Sequence, residues 1–219
     1  NKKKLWTDMN NNELKKRIIS SIILIPAIFF LIIKGSLLFN LFLLVILLIS
    51  SFEWHKMSKN RSYYIPGFIF LIFSFYSIYQ LRVYDDNSLN KLLIILVICI
   101  LTDLGGYIFG KTLKGPKLIS YSPNKTYSGL VGSYLLSLCV VPFLIYFNQI
   151  TENEKIIAIF FVILISTISQ IGDITISYFK RKSNIKDSGK LIPGHGGILD
   201  RIDGMVFVFP FSYFIMSNN

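Results

Sequence analysis

Between Ser177 and Asp203 the chain reads SYFKRKSNIKDSGKLIPGHGGILDRID. These 27 residues hold six Lys or Arg, three Asp, one His and four Gly. Cations, carboxylates and bare backbone in one segment suit the holding of polyphosphate together with a metal ion. Asp200 and Asp203 stand at i, i+3, so a helix start would place them on one face. With Asp173 they form a set of oxygen donors for a hard cation such as Mg2+, which takes carboxylates, waters and phosphate oxygens. Asp203 also reads as an N-terminal acid complementing the dipole of the helix that follows. Lys180, Arg181, Lys186 and Lys190 are placed to neutralise polyphosphate. Gly194, Gly196 and Gly197 surround His195 in a loop whose backbone a ligand can approach closely, and His195 itself is a candidate phosphate contact or proton donor.

Two further clusters lie outside this segment. Asp103 and Asp173 are each the single charge in a helix-like apolar stretch. Lone acids of that kind are costly in a membrane and are usually functional. Gly105 and Gly106 follow the first and Gly172 precedes the second, so helices or a ligand can approach there. Ser122-Pro123-Asn124-Lys125-Thr126 groups hydroxyls, an amide and a lysine around a turn beside an apolar run, a setting able to hold phosphate or base. Gly105 to Thr112 spells G-x-x-x-x-G-K-T, the P-loop pattern. A working P-loop needs strand, loop and helix in a soluble α/β domain. Here the inner positions are Tyr, Ile and Phe between apolar runs, so the match is read as coincidence.

The elements that must position these residues are membrane spans. The chain has 219 residues, and its hydrophobic fraction of 53% exceeds the roughly 45–50% of ordinary globular domains. Its mean hydropathy is +0.56. Uncharged runs cover 18–33, 35–52, 62–81, 126–151, 156–172 and 204–219, and 92–110 is broken only by Asp103. A span needs about 20 apolar residues. The reading is an all-α polytopic membrane protein of about seven transmembrane helices. A basic N-terminal tail occupies 1–17 and a single membrane domain 18–219. The first run is read as a span rather than a cleaved signal peptide, because a second run follows at once and no small-x-small site is evident.

The charge distribution agrees with this count. With the N-terminus cytoplasmic, residues 2–17, 56–61, 111–125 and 180–201 fall on the cytoplasmic side and hold 19 of the 23 Lys and Arg. That asymmetry is the positive-inside rule. It assigns the net charge of +11 to topology and anionic membrane lipids rather than to nucleic acid. Cys99 and Cys139 lie inside apolar runs and read as small hydrophobes, not as a disulfide or metal pair.

The segment from Ser177 to Asp203 resembles the signature of bacterial phosphatidate cytidylyltransferases, the CDP-diacylglycerol synthases. That signature runs S-x-apolar-K-R, four residues, K-D, a small residue, then P-x-H-G-G-apolar-x-D-R-apolar-D. Ser177, Lys180, Arg181, Lys186, Asp187, Gly189, Pro193, His195, Gly196, Gly197, Asp200, Arg201 and Asp203 stand at its fixed positions. Asp103 with Gly106, Tyr107 and Gly110 is similar to a second block, and Ser122 to Thr126 to a third. Arg17 and Glu53-Trp54 also resemble family positions. The chain departs from the family where Tyr127-Ser128-Gly129 replaces Trp-Glu-Gly, and it is short for the family.

The resemblance implies a multi-pass protein of the bacterial cytoplasmic membrane with its site facing the cytoplasm. It implies transfer of a cytidylyl group from CTP to phosphatidic acid, giving CDP-diacylglycerol and pyrophosphate. By the same resemblance, Asp173 and Asp200 are the expected Mg2+ ligands, with a second cation allowed, and Asp203 and Asp103 are further ligand candidates. Lys180, Arg181, Arg201 and His195 complete the expected catalytic set. Ser122, Asn124, Lys125, Thr126, Ser177, Lys186, Asp187, Gly196 and Gly197 are the expected substrate contacts, and a homodimer is the expected assembly. Two rival classes remain at this stage. One is a CTP-dependent lipid or polyprenol kinase, which releases CDP instead of pyrophosphate. The other is an ion-coupled transporter using Asp103 and Asp173.

Overall fold

In the computed structural model the described residues are 26–83, 87–119, 122–147, 149–189, 191 and 196–217. Residues 26–34 are helical. The elements that follow are α1 (Ser36–Ser58), α2 (Tyr64–Val83), α3 (Ser88–Leu113), β1 (Lys117–Ile119), β2 (Ser122–Thr126), α4 (Tyr127–Leu138), α5 (Val140–Tyr146), α6 (Lys155–Lys182), α7 (Leu199–Ile202) and α8 (Met205–Ser217). This is a helical, multi-pass membrane protein. Five segments are long and apolar enough to cross a bilayer: α1, α2, α3, α4 with α5, and α6. Between 22% and 39% of each apolar window is buried. Most of the apolar surface therefore faces outward, as contact with lipid requires. Leu37, Leu41, Leu44 and Leu48, all exposed on α1, are examples.

Seven spans were expected, and the described helices give five. The start of the first expected span lies outside the described residues. The last, α8, has 13 residues. At 1.5 Å per residue it rises only about 20 Å, short of the roughly 30 Å hydrocarbon core. The all-α expectation also gains a small exception. Residues 117–119 and 122–126, read as loop and turn, form two antiparallel strands in which Lys117 pairs with Thr126 and Ile119 with Ser122.

The chain divides into two compact units. One comprises the described residues up to Ile72 with Ile185–Arg201. The other comprises Phe73–Asn184 and the chain from Ile202 onward.

In the second unit α3 and α4 make the closest helix pair. Gly105 lies so near Gly132 that a Cβ on Gly105 would strike the Gly132 carbonyl and the Ser133 backbone. Small residues at such a crossing let backbones meet, and dispersion and hydrogen bonds then hold them where lipid offers no hydrophobic drive. Ser133 Oγ donates to the Thr102 carbonyl at 2.8 Å, and Thr102 Oγ1 donates to Ser166 Oγ of α6 at 3.0 Å. Pro210 inside α8 has no N–H for the Val206 carbonyl one turn earlier. Ser74 Oγ of α2 donates to that carbonyl at 2.6 Å, which meets the need of an apolar setting that every backbone group find a partner. Cys99 is buried, Cys139 exposed and both are free thiols, consistent with their reading as packing residues.

In the first unit, Trp54 of α1 anchors the start of α2. Its Nε1–H donates to the Tyr64 carbonyl at 3.0 Å, and its ring lies where a Cβ on Gly67 would be. His55 Nδ1 and the Tyr64 hydroxyl are 2.8 Å apart.

Candidate active site

The second unit carries a cluster of lysines and carboxylates. Asp173, Ser177 and Lys180 follow one another on α6 at i, i+4 and i+7, so they share a face. Ser177 Oγ donates to Asp173 Oδ1 at 3.3 Å. Lys125, on β2, reaches the same carboxylate at 2.7 Å. Neither partner is fully exposed, with side-chain accessibilities of 22% and 34%, so solvent screens the pair only in part. Lys180 lies 3.9 Å from Asp203, a longer pair whose side chains are 11% and 13% exposed.

Asp203 occupies the turn before α8, and the Gly204 N–H donates to its Oδ1 at 2.9 Å. That turn can approach α6 because Gly172 and Gly204 have no Cβ. One on Gly172 would meet the Asp203 carbonyl, and one on Gly204 would meet Ser169. Burial and the like charge of Asp173 push the Asp203 carboxyl well above the ordinary carboxylate range, with Asp103 adding to the effect. Lys180 and the Gly204 amide oppose that rise. Asp103, Asp173 and Asp203 thus belong to one electrostatic group, although Asp103 itself is exposed.

A carboxylate whose folded-state pKa is raised binds its proton more tightly folded than unfolded. The folded protein therefore loses stability as pH rises from the ordinary Asp value through the raised one. Asp203→Asn should melt at a higher temperature than the parent at pH 7–8. The gain should shrink toward pH 4, where both forms are neutral at this position. Thermal unfolding in detergent across pH checks this, and an equal gain at all pH values would contradict it.

Thr126, expected at a substrate, acts as the N-cap of α4. It accepts from the Gly129 N–H at 3.1 Å, and its Oγ1 is 3.0 Å from Ser128 Oγ. Ser128, standing where relatives were expected to have Glu, thus joins the cap. Thr126→Ala should cost about 1 kcal/mol of stability through loss of that cap. A melting curve in detergent tests it. The P-loop lookalike is helical throughout Gly105–Lys111, inside α3, which removes the phosphate-binding reading of that pattern. Lys111 Nζ instead donates to the Tyr107 hydroxyl one turn earlier, at 3.2 Å.

The first unit carries the other half of the signature. Asp200 Oδ2 accepts the Ser188 N–H at 2.8 Å and the Gly197 N–H at 3.0 Å. Glu53, buried near the end of α1, accepts three bonds. They come from Ser188 Oγ at 2.7 Å, the Ile198 N–H at 2.9 Å and the Leu199 N–H at 2.8 Å. Gly189 and Gly197 are bare where a Cβ would strike the Glu53 carboxylate, and Gly196, at φ 88°, lies against Asp200. The close approach that these glycines permit is used here by protein carboxylates.

Lys186, Asp187 and Arg201 of this unit are exposed, as is Arg181 of the other. His195, Pro193 and Lys190 lie outside the described residues, as do the side chains of Pro123 and Asn124. Sequence reasoning placed Glu53 at a helix end and in a resembling block, but gave it no role. The available signal was an acid at the edge of the apolar run 35–52, as Asp173 stands at the edge of the run 156–172.

Apolar helices with paired lysines and carboxylates at one cluster define a membrane-embedded protein with a site suited to phosphate chemistry. The chain belongs to the cytidylyltransferase family, whose pattern matches residues 15–85 and 63–218. It is 36% identical to the phosphatidate cytidylyltransferase of Rickettsia bellii, over 98% of this chain and 95% of that one. Against the protein of the same name from Rickettsia conorii it is 37% identical, over 94% and 92%. Against that from Staphylococcus aureus it is 39% identical, over 70% of this chain and 60% of the other. The chain is therefore a nucleotidyltransferase.

Proposed function

We propose that this protein transfers the cytidylyl group of CTP to phosphatidic acid, producing CDP-diacylglycerol and pyrophosphate for phospholipid synthesis. The observation that carries this reading is near full-length similarity to relatives named for that reaction.

The chemistry suits the second unit's cluster. The phosphatidate phosphate is already an anion at neutral pH, so its oxygen needs no base before attacking the α-phosphorus. The obstacle is bringing two anions together, and fixed cations remove it by positioning and charge neutralisation. Lys125 is held by Asp173 and Lys180 lies 3.9 Å from Asp203, which positions each ammonium group before substrate arrives. Ser177 turns toward Asp173 and fixes its rotamer. Arg181 of this unit is a proposed contact of the triphosphate and the leaving pyrophosphate, and Lys186 and Arg201 of the first unit are carried forward as proposed phosphate contacts.

Magnesium is part of the proposal. Among the described residues no three His, Cys, Asp or Glu side chains converge as a complete metal site. The donors present nevertheless fit the ion, because magnesium keeps several waters and takes one or two carboxylates plus substrate phosphate oxygens. In the second unit Asp173 would be a ligand, with Asp203 and Asp103 as further candidates. Asp200, the other expected ligand, belongs to the first unit, where its Oδ2 accepts the Ser188 and Gly197 amides. When bound, the ion would neutralise phosphate charge in the transition state.

The bilayer setting is proposed as the bacterial cytoplasmic membrane, with the lysine-rich segments and the site on the cytoplasmic face. The positive-inside distribution supports this. A homodimer belongs to the same proposal, as does a count of seven spans in which the chain before Gly35 forms the first and the short α8 the last.

The deciding experiment supplies purified protein in detergent with phosphatidate, magnesium and CTP labelled at the α- or γ-phosphorus. α-Label in the lipid phase with an equal yield of pyrophosphate is expected. γ-Label in lipid with CDP released would replace the reading by a lipid kinase. Cation flux without CTP turnover would replace it by a transporter.

A further inference from the structure

We propose that Glu53 is a positioning residue for cytidylyl transfer, acting through Ser188 and the Ile198 and Leu199 amides to hold the backbone that carries Asp200 and Arg201. This rests on the functional reading above. All of these residues lie within the first unit.

A carboxylate near the end of an apolar helix is expensive unless its oxygens are hydrogen-bonded. Glu53 meets that cost with three donors, none of them on its own helix. One donor, Ser188, lies just after Lys186 and Asp187. The other two are the amides immediately before Asp200. Asp200 closes the same neck from the opposite side, taking the Ser188 and Gly197 amides. Ser188 is thus gripped twice, by its hydroxyl to Glu53 and by its amide to Asp200. The glycines at 189 and 197 are required by this arrangement, because side chains there would occupy the volume of the Glu53 carboxylate.

Five N–H or O–H donors of the signature segment are therefore engaged by two protein anions. Glu53 contributes no exposed atom to chemistry, since it is only 3% exposed. Its effect has to pass through the backbone it holds. Displacing a reacting or binding group by about 1 Å can cost about 100-fold in rate.

Glu53→Gln isolates the effect. The amide is isosteric, but one end of it becomes a donor. That end must face either the Ile198 N–H or the Leu199 N–H with Ser188, and donor meets donor. The measurements are kcat and KM for CTP in detergent with α-labelled CTP, and amide hydrogen exchange of the purified protein.

Glu53→Gln is expected to lower kcat about 100-fold while KM for CTP changes less than about threefold. Exchange should accelerate at the amides of residues 188, 198 and 199, with protection in α3, α4 and α6 unchanged. Ser188→Ala, which removes one bond and leaves the backbone intact, should lower kcat in the same direction by a smaller factor, and it decides the matter if Glu53→Gln does not fold. Parental kcat in a folded Glu53→Gln, or in Ser188→Ala when the first variant fails, overturns the positioning role. So does loss of protection throughout the protein. A parent that transfers no label overturns the functional reading first, and the Glu53 proposal falls with it. An active parent beside an equally active Glu53→Gln overturns the Glu53 proposal alone.

Discussion

Asp173→Asn is expected to abolish cytidylyl transfer, lowering kcat by about 1,000-fold or more, while leaving a folded protein. Removing one preorganised electrostatic group from an active site commonly costs about 100- to 1,000-fold. Asp173 does more than one job. It holds Lys125 at 2.7 Å, orients Ser177 and is a proposed magnesium donor. Asparagine keeps the shape and an oxygen for Ser177, but it loses the charge that fixes Lys125 and attracts the cation.

There is a physical reason to expect the variant to fold. Asp173 raises the pKa of buried Asp203 by like-charge repulsion, and its neutralisation relieves that repulsion. The loss of the Lys125 pair is offset in part by that relief, and solvent already screens the pair in part. The expected result is therefore an inactive protein whose melting temperature in detergent is close to the parent's. Activity within about tenfold of the parent would remove Asp173 from the catalytic centre. A collapse of stability would instead assign it a structural role.

The second large effect concerns stability. Gly105→Leu should destabilise the protein by more than about 4 kcal/mol, a size reached only by severe core disruption. The first atom of any side chain at this position meets the carbonyl of Gly132 and the backbone of Ser133, neither of which can rotate away. Helices α3 and α4 would have to separate. That would break the Ser133 bond to the Thr102 carbonyl. It would also disturb Thr102, which links α3 to Ser166 of α6. Val131→Leu on α4 is the control, because Val131 is 53% exposed and the change adds only lipid-facing volume. Elution profile and thermal unfolding in detergent should separate the two variants clearly. Parental stability in Gly105→Leu would mean that the α3–α4 contact is looser than the structure shows.

Much of this protein is written in short-range sequence features. Runs of about 20 apolar residues dictate helices, because a backbone inside lipid must satisfy its own hydrogen bonds. Lone acids in such runs are expensive, so Asp103 and Asp173 stand out without any coordinates. The signature from Ser177 to Asp203 carries family membership on its own. The small residues beside Asp103 announce a close helix crossing, and α3 against α4 supplies it.

The partners of these residues were not legible. Periodicity reports which residues share a face of one element, and it is silent on what another element brings to that face. Lys125 and Asp173 meet across 48 positions through a strand pair that the sequence presented as a turn. Thr126 looked like a ligand group and became a helix cap. The glycines of the signature looked ready for a phosphate, and the carboxylates of Glu53 and Asp200 that lie against them were not legible. Glu53 shows the limit most sharply. Its three donors stand 135 to 146 positions away. A hydrogen bond is decided by distance and angle at a few ångströms, and only the folded chain sets those between residues so far apart in sequence.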